Sequence, residues 1–292
     1  MPQRPIIEIR NLHKSFGPLR VLDGVSLDIH AGQTTVILGP SGTGKSVLIK
    51  HVVGLLKPDA GEVLYRYRGG EVVNMTTLSE RQLADVRRDF GFLFQMGALF
   101  DSMCAGDNVA FPLTEHKRKQ LSREQVQLAA QQKLEMVGLA HHFDKLPSQL
   151  SGGQRKRVAL ARAIAMEPRI ILYDEPTTGL DPITSDVINE LIIKLQRELK
   201  VTSIVVTHDM VSAFKVADRI IMLHQGHVIA DASTAEFRQL TDPRVQRFIA
   251  GRADDDDLQA LRKTVPQQLD RSWFMDAAQS RGADRTAPPG VS

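Results

Sequence analysis

Eight consecutive residues, Gly39-Pro40-Ser41-Gly42-Thr43-Gly44-Lys45-Ser46, have the types and order needed to hold a polyphosphate. The glycines let the backbone curl until successive N–H groups face one anion. Lys45 stands where an ammonium reaches β- and γ-phosphates, and Ser46 where a hydroxyl ligates Mg²⁺. The apolar run Thr34–Leu38 predicts a buried strand before the loop, and a helix is expected from Lys45 to about Val53. That helix would add the positive end of its dipole to the same anion. A merely flexible glycine loop does not explain the lysine–serine pair, so the substrate class is a nucleoside triphosphate.

A second stretch, Ile170-Ile171-Leu172-Tyr173-Asp174-Glu175, is an apolar strand ending in two carboxylates. Strand ends of this kind lie on the carboxyl edge of an α/β sheet, where a nucleotide sits. Asp174 is expected to hold Mg²⁺, directly or through water, and Glu175 to act as general base toward the attacking water. Alone, such a strand end is as often structural as catalytic. Beside a phosphate loop it reads as catalytic.

Leu150-Ser151-Gly152-Gly153-Gln154 has no use on its own chain beyond a loop and a helix cap. With this pentapeptide the sequence resembles the ABC ATPase family, whose signature it is, over roughly Ile6 to Leu240. The resemblance implies that Gln95 is the Q-loop glutamine, Gly179-Leu180-Asp181 the D-loop and His208 the switch histidine. Phe16 falls where the family stacks an aromatic ring on adenine. Singly, Gln95 and His208 read as satisfied polar residues and Phe16 as core; the marks stand together in the family's order. The resemblance further implies two copies packed head to tail. ATP would lie between Phe16 and Gly39–Ser46 of one copy and Ser151, Gly152, Gly153 and Gln154 of the other, with Asp181 at the same interface. Mg²⁺ would be held by Ser46, Asp174 and Gln95, and hydrolysis carried by Glu175 with Gln95 and His208.

The wording between the Q-loop and the signature narrows the resemblance. Ala98-Leu99-Phe100-Asp101-Ser102-Met103 followed by Asn108-Val109-Ala110-Phe111-Pro112-Leu113 is similar to the Mla-type ATPases of phospholipid transport and toluene tolerance. So are Gly42–Leu48, where Val47 replaces the family's usual threonine, Lys156–Ala163 and Glu175–Ser185. Cys104-Ala105-Gly106 departs from the Thr-Val-Phe expected in that group and weakens the contact expected at those three positions. The Mla resemblance implies phospholipid cargo moving between inner and outer membranes, to maintain outer-membrane lipid asymmetry. It implies a transmembrane permease, a STAS-domain protein and an MCE-domain lipid-binding protein as partners. Leu99, Phe100 and Met103 suit either a permease helix or the protein's own core. Another ABC transporter, importing or exporting small molecules, would share every ATP residue. A soluble ABC protein of translation or DNA repair fits less well, because such proteins usually carry two cassettes, coiled-coil insertions or zinc modules.

These residues need strands and helices to position them. Ile7 and Ile9, then Val25, Leu27 and Ile29, alternate with polar residues as half-buried strands do. Further strands are expected at Glu62–Tyr67, Phe90–Phe94, Ile170–Tyr173 and Ser203–Thr207, with a hairpin turning at Gln225-Gly226. Ser79 with Gln82 and Ser122 with Gln125 have capping-box spacing. Val126, Ala129, Ala130, Leu134 and Val137 form one apolar helical stripe; Ile183, Val187, Ile188, Leu191, Leu195 and Leu199 form another, begun by Asp181 and Pro182. The expected fold is α/β, a P-loop NTPase core of the ABC ATPase type with an antiparallel β subdomain and a helical subdomain over about residues 96–165. The ATPase domain is expected to span residues 1–240. The extension 241–292, with its block Asp254–Asp257 and a Gly- and Pro-containing end, is expected to be partly disordered. Trp273 and Phe274 within it either dock on a neighbouring subunit or are incidental.

Bulk properties agree with a peripheral subunit. The 292 residues are 42% hydrophobic, enough for a core, and the formal charge of +3 makes no case for nucleic acid. The basic run His116–Lys119 reads as a solvated face, or else as a phosphate or lipid-headgroup contact. A single cysteine, Cys104, permits no intramolecular disulfide and suits a reducing compartment. Met1–Pro5 lacks the charged-then-apolar leader pattern, and no apolar run reaches the roughly 18 residues that span a bilayer. The expected location is the cytoplasmic face of the inner membrane, through a partner.

Overall fold

The apolar alternation of the N-terminal segment closes as a long hairpin, β1 (Ile7–Phe16) against β2 (Leu19–Ile29), with Ile7 opposite Ile29 and Ile9 opposite Leu27. All four side chains are buried. In the computed structural model, which describes residues 4–67 and 69–253, this hairpin belongs to the first of two sheets. Strands β4 (Ala60–Arg66) and β5 (Val72–Asn74) complete it, antiparallel throughout, in the order β2-β1-β4-β5. The short β5 had no counterpart in the sequence expectations, because three residues carry too little alternation to register.

The second sheet contains β3 (Thr34–Leu38), β6 (Phe90–Leu93), β7 (Ile170–Asp174), β8 (Thr202–Thr207), β9 (Arg219–His224) and β10 (His227–Ser233). Its order is β10-β9-β3-β8-β7-β6, parallel except for the β9–β10 hairpin. Every residue of β3, β7 and β8 is buried, as parallel strands covered on both faces require. Gln225 and Gly226 turn the hairpin with φ of 46° and 79°, the two left-handed residues of a tight turn. One apolar cluster joins the sheets: Ile7, Ile9 and Tyr65 from the first pack with Ile37, Leu172 and Ile204 from the second.

The helices are α1 (Lys45–Val52), α2 (Glu80–Val86), α3 (Ala105–Lys117), α4 (Arg123–Met136), α5 (Gly152–Ala163), α6 (Pro182–Leu199), α7 (Met210–Val216), α8 (Thr234–Phe237) and α9 (Pro243–Ile249). Both expected capping boxes form, at Ser79 and Ser122. Helices α3, α4 and α5 pack on one another between β6 and β7. Helix α6 departs from expectation in its first turns: Ile188, Leu191 and Leu195 are buried, whereas Ile183 and Val187 are 79% and 43% exposed. The apolar stripe of this helix is therefore left open to solvent over its first turns.

The backbone divides into two compact units, Met1–Gln246 and Arg247–Ser292. Among the described residues no helix is long and apolar enough to cross a membrane. The Asp254–Asp257 block, Trp273 and Phe274 lie outside the described residues.

Candidate active site

Parallel pairing brings the separated marks to one edge. Leu38 at the end of β3 pairs with Thr207 of β8, Val206 of β8 with Asp174 of β7, and Tyr173 of β7 with Leu93 of β6. The loops leaving those strands therefore lie side by side: Gly39–Ser46, His208, Asp174-Glu175 and Gln95. This is the carboxyl edge at which an open parallel sheet binds ligands.

The phosphate loop is tightly built. A Cβ on Gly39 would lie 2.2 Å from the Leu223 carbonyl oxygen, so only glycine fits between β3 and β9. Gly44, at φ +93°, starts α1 pressed against Val21 and Leu22 of β2. Phe16, at the turn end of the same hairpin, is 48% exposed. Helix α1 begins with no side-chain cap and no acidic residue in its first turn, whereas the helices from α2 to α8 all have a capping side chain. Its first N–H groups are thus free for an anion, which is what a bound phosphate needs.

Lys45, 5% exposed, donates to the carbonyls of Gly39 and Pro40 at 2.8 Å each. Burial pushes its pKa down, against the pull of Glu175 and Asp174. Thr43 Oγ1 donates to the Pro40 carbonyl and braces the turn. Ser46 Oγ donates to Asp174 Oδ1 at 2.8 Å, placing two hard oxygen donors side by side on adjacent elements. Burial pushes the Asp174 carboxyl up, opposed by the Ser46 bond and by Lys50 and Lys45. Among the described residues no group of three or more His, Cys, Asp and Glu side chains is placed to hold a metal. The donor set fits Mg²⁺, which takes one or two protein carboxylates and completes its shell with substrate phosphates and water.

Glu175 is 8% exposed and held from several sides. His208 Nδ1 lies 3.0 Å from its Oε1 and 2.9 Å from its Oε2. Thr178 Oγ1 donates to Oε2 at 3.1 Å, and Lys45 Nζ stands 3.9 Å from Oε1. The carboxylate is oriented by three groups while its backbone sits at φ +50°.

The family model described as ABC transporter matches residues 22–178, more than half of the chain. The chain belongs to the ABC transporter family. It is therefore an ATP-binding, ATP-hydrolysing cassette. The intermembrane phospholipid transport system ATP-binding protein MlaF of Escherichia coli is 41% identical over 249 residues, covering 85% of this chain and 90% of MlaF. A probable ribonucleotide transport ATP-binding protein of Mycobacterium leprae is also 41% identical, over 86% of this chain and 71% of its own length. Among solved structures, a dimeric ATP-binding cassette in a post-hydrolysis state with ADP and Pi matches with a TM-score of 0.70 and 37% identity, covering 78% of this chain and 98% of that one.

Other marks of the ABC cassette sit away from the phosphate loop. Ser151 caps α5, its Oγ accepting from Gln154 N while Gln154 Oε1 accepts from Ser151 N. Gln154 Nε2 also donates to His142 Nε2. Asp181 caps α6, accepting from the N–H groups of Ile183 and Thr184 at 3.0 Å. A Cβ on Gly153 would meet Thr184 Cγ2 at 2.3 Å, so the two capped helix starts press together. Among the described residues no hydrogen bond or ion pair joins Ser151, Gly152, Gly153, Gln154 or Asp181 to Gly39–Ser46.

Beside the exposed Gln95 opens a groove of about 390 Å³. It is lined in part by Arg87, Phe92, Phe94, Phe100, Phe111 and Arg162. Phe100 is 41% exposed on it, while Leu99 and Met103 are half-buried, so none of the three is fully core. Asn108, buried, stitches the preceding loop by accepting from Phe100 N and donating to the carbonyls of Phe100, Met103 and Cys104. A Cβ on Gly106 would come 2.3 Å from the Phe143 ring, so Phe143 takes the space that the larger residue expected at position 106 would fill.

Sequence reasoning did not single out Lys156, Arg162 or Thr178. All three lay inside quoted motifs, Lys156–Ala163 and Glu175–Ser185, with no role of their own. Lys156 sits in the basic run Arg155-Lys156-Arg157 and looks solvent-bound there, yet it is 6% exposed. The available signal was its phase: it lies three residues before Ala159 and four before Leu160, both buried on α5.

Proposed function

We propose that this cassette is the ATPase subunit of a transporter that moves phospholipid between the inner and outer membranes. The observation that carries the cargo is the 41% identity spanning 90% of the E. coli protein whose name is that of an intermembrane phospholipid transport ATPase. Supporting it is the aromatic groove beside Gln95, which has the shape and chemistry to take a helix from a permease. A STAS-domain protein and an MCE-domain lipid-binding protein complete the proposed assembly, on the cytoplasmic and far sides of the inner membrane respectively. The catalytic domain in this proposal spans residues 1–240, with its helical part over about 96–165, followed by an extension.

The proposed catalytic unit is a head-to-tail pair of copies. In each site Gly39–Ser46 wraps the phosphates of ATP, Lys45 neutralises charge on the β- and γ-phosphates, and Phe16 stacks on the base. Ser46 and Asp174, with Gln95, would hold Mg²⁺, which would supply positive charge to offset that developing on the phosphates in the transition state. Glu175 orients the attacking water and takes its proton on the carboxylate. His208 and Thr178 keep that carboxylate aimed. The other copy presents Ser151, Gly152, Gly153 and Gln154 at the start of α5, so a second helix N-terminus faces the γ-phosphate. ATP holds the pair shut, and its hydrolysis lets the pair open.

Ribonucleotide is the competing cargo, since the mycobacterial relative named for it is equally identical. One experiment separates the two. A tagged copy is recovered from detergent-solubilised native membranes and its companions are identified. Co-recovery of a permease with STAS- and MCE-domain proteins is the expected result. A permease with a different solute-binding partner would keep the ATPase chemistry and overturn the lipid cargo.

A further inference from the structure

Lys156 lies on the buried face of α5, five residues beyond Ser151, and among the described residues no carboxylate is in hydrogen-bonding contact with it. Its ammonium instead donates to two backbone carbonyls, those of Gln95 at 2.5 Å and Glu175 at 3.2 Å. Burial pushes its pKa down, countered by the fields of Asp174 and Glu175. Two more positions of the same face grip the same loop. Arg162 donates to the carbonyls of Gly97 at 2.8 Å and Ala98 at 2.6 Å. Ala159 lies between them, its Cβ 3.5 Å from where a side chain on Gly97 would begin.

Glu175 needs such a clamp. It is a non-glycine residue at φ +50°, a conformation that costs about 1–2 kcal/mol and persists only where its surroundings hold it. Its N–H donates to the Val206 carbonyl at 2.9 Å, which fixes the peptide before it. Its carbonyl accepts from Thr178 N at a long 3.3 Å and from Lys156. Among the described residues the cation is the one charged donor on that carbonyl, and charge-assisted bonds are the stronger kind. We propose that Lys156 is a positioning residue for hydrolysis, clamping the carbonyls of Gln95 and Glu175 together so that the glutamine loop and the base keep one register. It rests on Glu175 being the base. A shift of the Q-loop, for instance when the groove beside it is filled, then reaches Glu175 through a single side chain.

The test uses the full-length chain with Lys156→Met, Lys156→Gln, Lys156→Arg and Glu175→Gln. ATPase kinetics, the Kd for a fluorescent ATP analogue and the Tm are measured for each. Lys156→Met is expected to lower kcat about 10- to 100-fold, the scale of a slightly misaimed reacting group. KM and the analogue Kd should stay within about twofold, and Lys156→Arg should recover most of the loss. If Lys156→Met lowers Tm below the assay temperature, Lys156→Gln replaces it, with the same expectation of a kcat-only loss. Lys156→Met with kcat within about twofold of wild type, or a loss that tracks the Kd or is not relieved by arginine, overturns the assignment. An inactive Glu175→Gln beside an active Lys156→Met would sink the lysine alone, whereas an active Glu175→Gln would remove the base and with it the role of Lys156.

Discussion

Glu175 is the residue on which the chemistry turns. His208, Thr178 and Lys45 surround its carboxylate, and each contact restricts where the oxygens can point. Glu175→Gln keeps the volume and most of these contacts but cannot take a proton. It is expected to cut kcat by about 10²- to 10⁴-fold, the usual size of a general-base contribution. ATP should still bind, and the variant should accumulate as an ATP-filled dimer by size-exclusion chromatography; turnover at the wild-type rate would rule out the base. Most of this cluster was legible in the sequence, because Lys45, Ser46, Asp174 and Glu175 belong to local motifs whose spacing alone implies a strand, a turn and a helix. Lys156 and Thr178 were not, because nothing local says which carbonyl or carboxylate a distant side chain will meet.

At the scale of elements, the two sheets are tied by a polar joint under the apolar cluster. Tyr65 on β4, fully buried, donates to Asp89 Oδ2 at 2.7 Å, just before β6. Arg169, just before β7, donates to the Tyr65 oxygen at 3.1 Å and to the Arg66 carbonyl. Burial and the Asp89 bond hold the Tyr65 phenol far above its ordinary pKa, so it remains a donor. Tyr65→Phe leaves a buried carboxylate one donor short and should cost about 1–3 kcal/mol in urea unfolding. The Kd for an ATP analogue should not change, because the joint lies away from Gly39–Ser46. All the strands but β5 were readable from alternation and apolar runs. Their joint was not, since Tyr65, Asp89 and Arg169 are far apart along the chain and carry no motif.

For the whole molecule, the exposed surfaces bear on assembly. Ile183 and Val187 at the start of α6, Val211 on α7 and the Phe100 side of the groove leave apolar area uncovered on a single chain. Such area fits a subunit that works against a second copy and a membrane partner. Every assigned site residue lies before Gly251. A chain ending at Gly251 should therefore bind an ATP analogue with the wild-type Kd, measured by fluorescence titration. The same truncation tests Trp273 and Phe274: a lower yield of the membrane complex would mark them as docking residues, and an unchanged yield would make them incidental.

The sequence by itself determined the reaction. A phosphate loop, a carboxylate pair and a signature pentapeptide are each contiguous, and their chemistry follows from residue types a few positions apart. It also determined every strand but β5, because β3, β7 and β8 are short, mainly apolar runs bounded by turn residues and the outer strands alternate apolar with polar side chains. Tertiary structure decided which loops share an edge, through the pairing of β3, β8, β7 and β6. It decided that Lys156 is buried on carbonyls rather than solvated, that Phe143 fills the space beside Gly106, and that the first turns of α6 are bare. Each depends on where a second segment passes: the helical phase of Lys156 marks it as facing inward, but no periodicity names the carbonyls that it meets there.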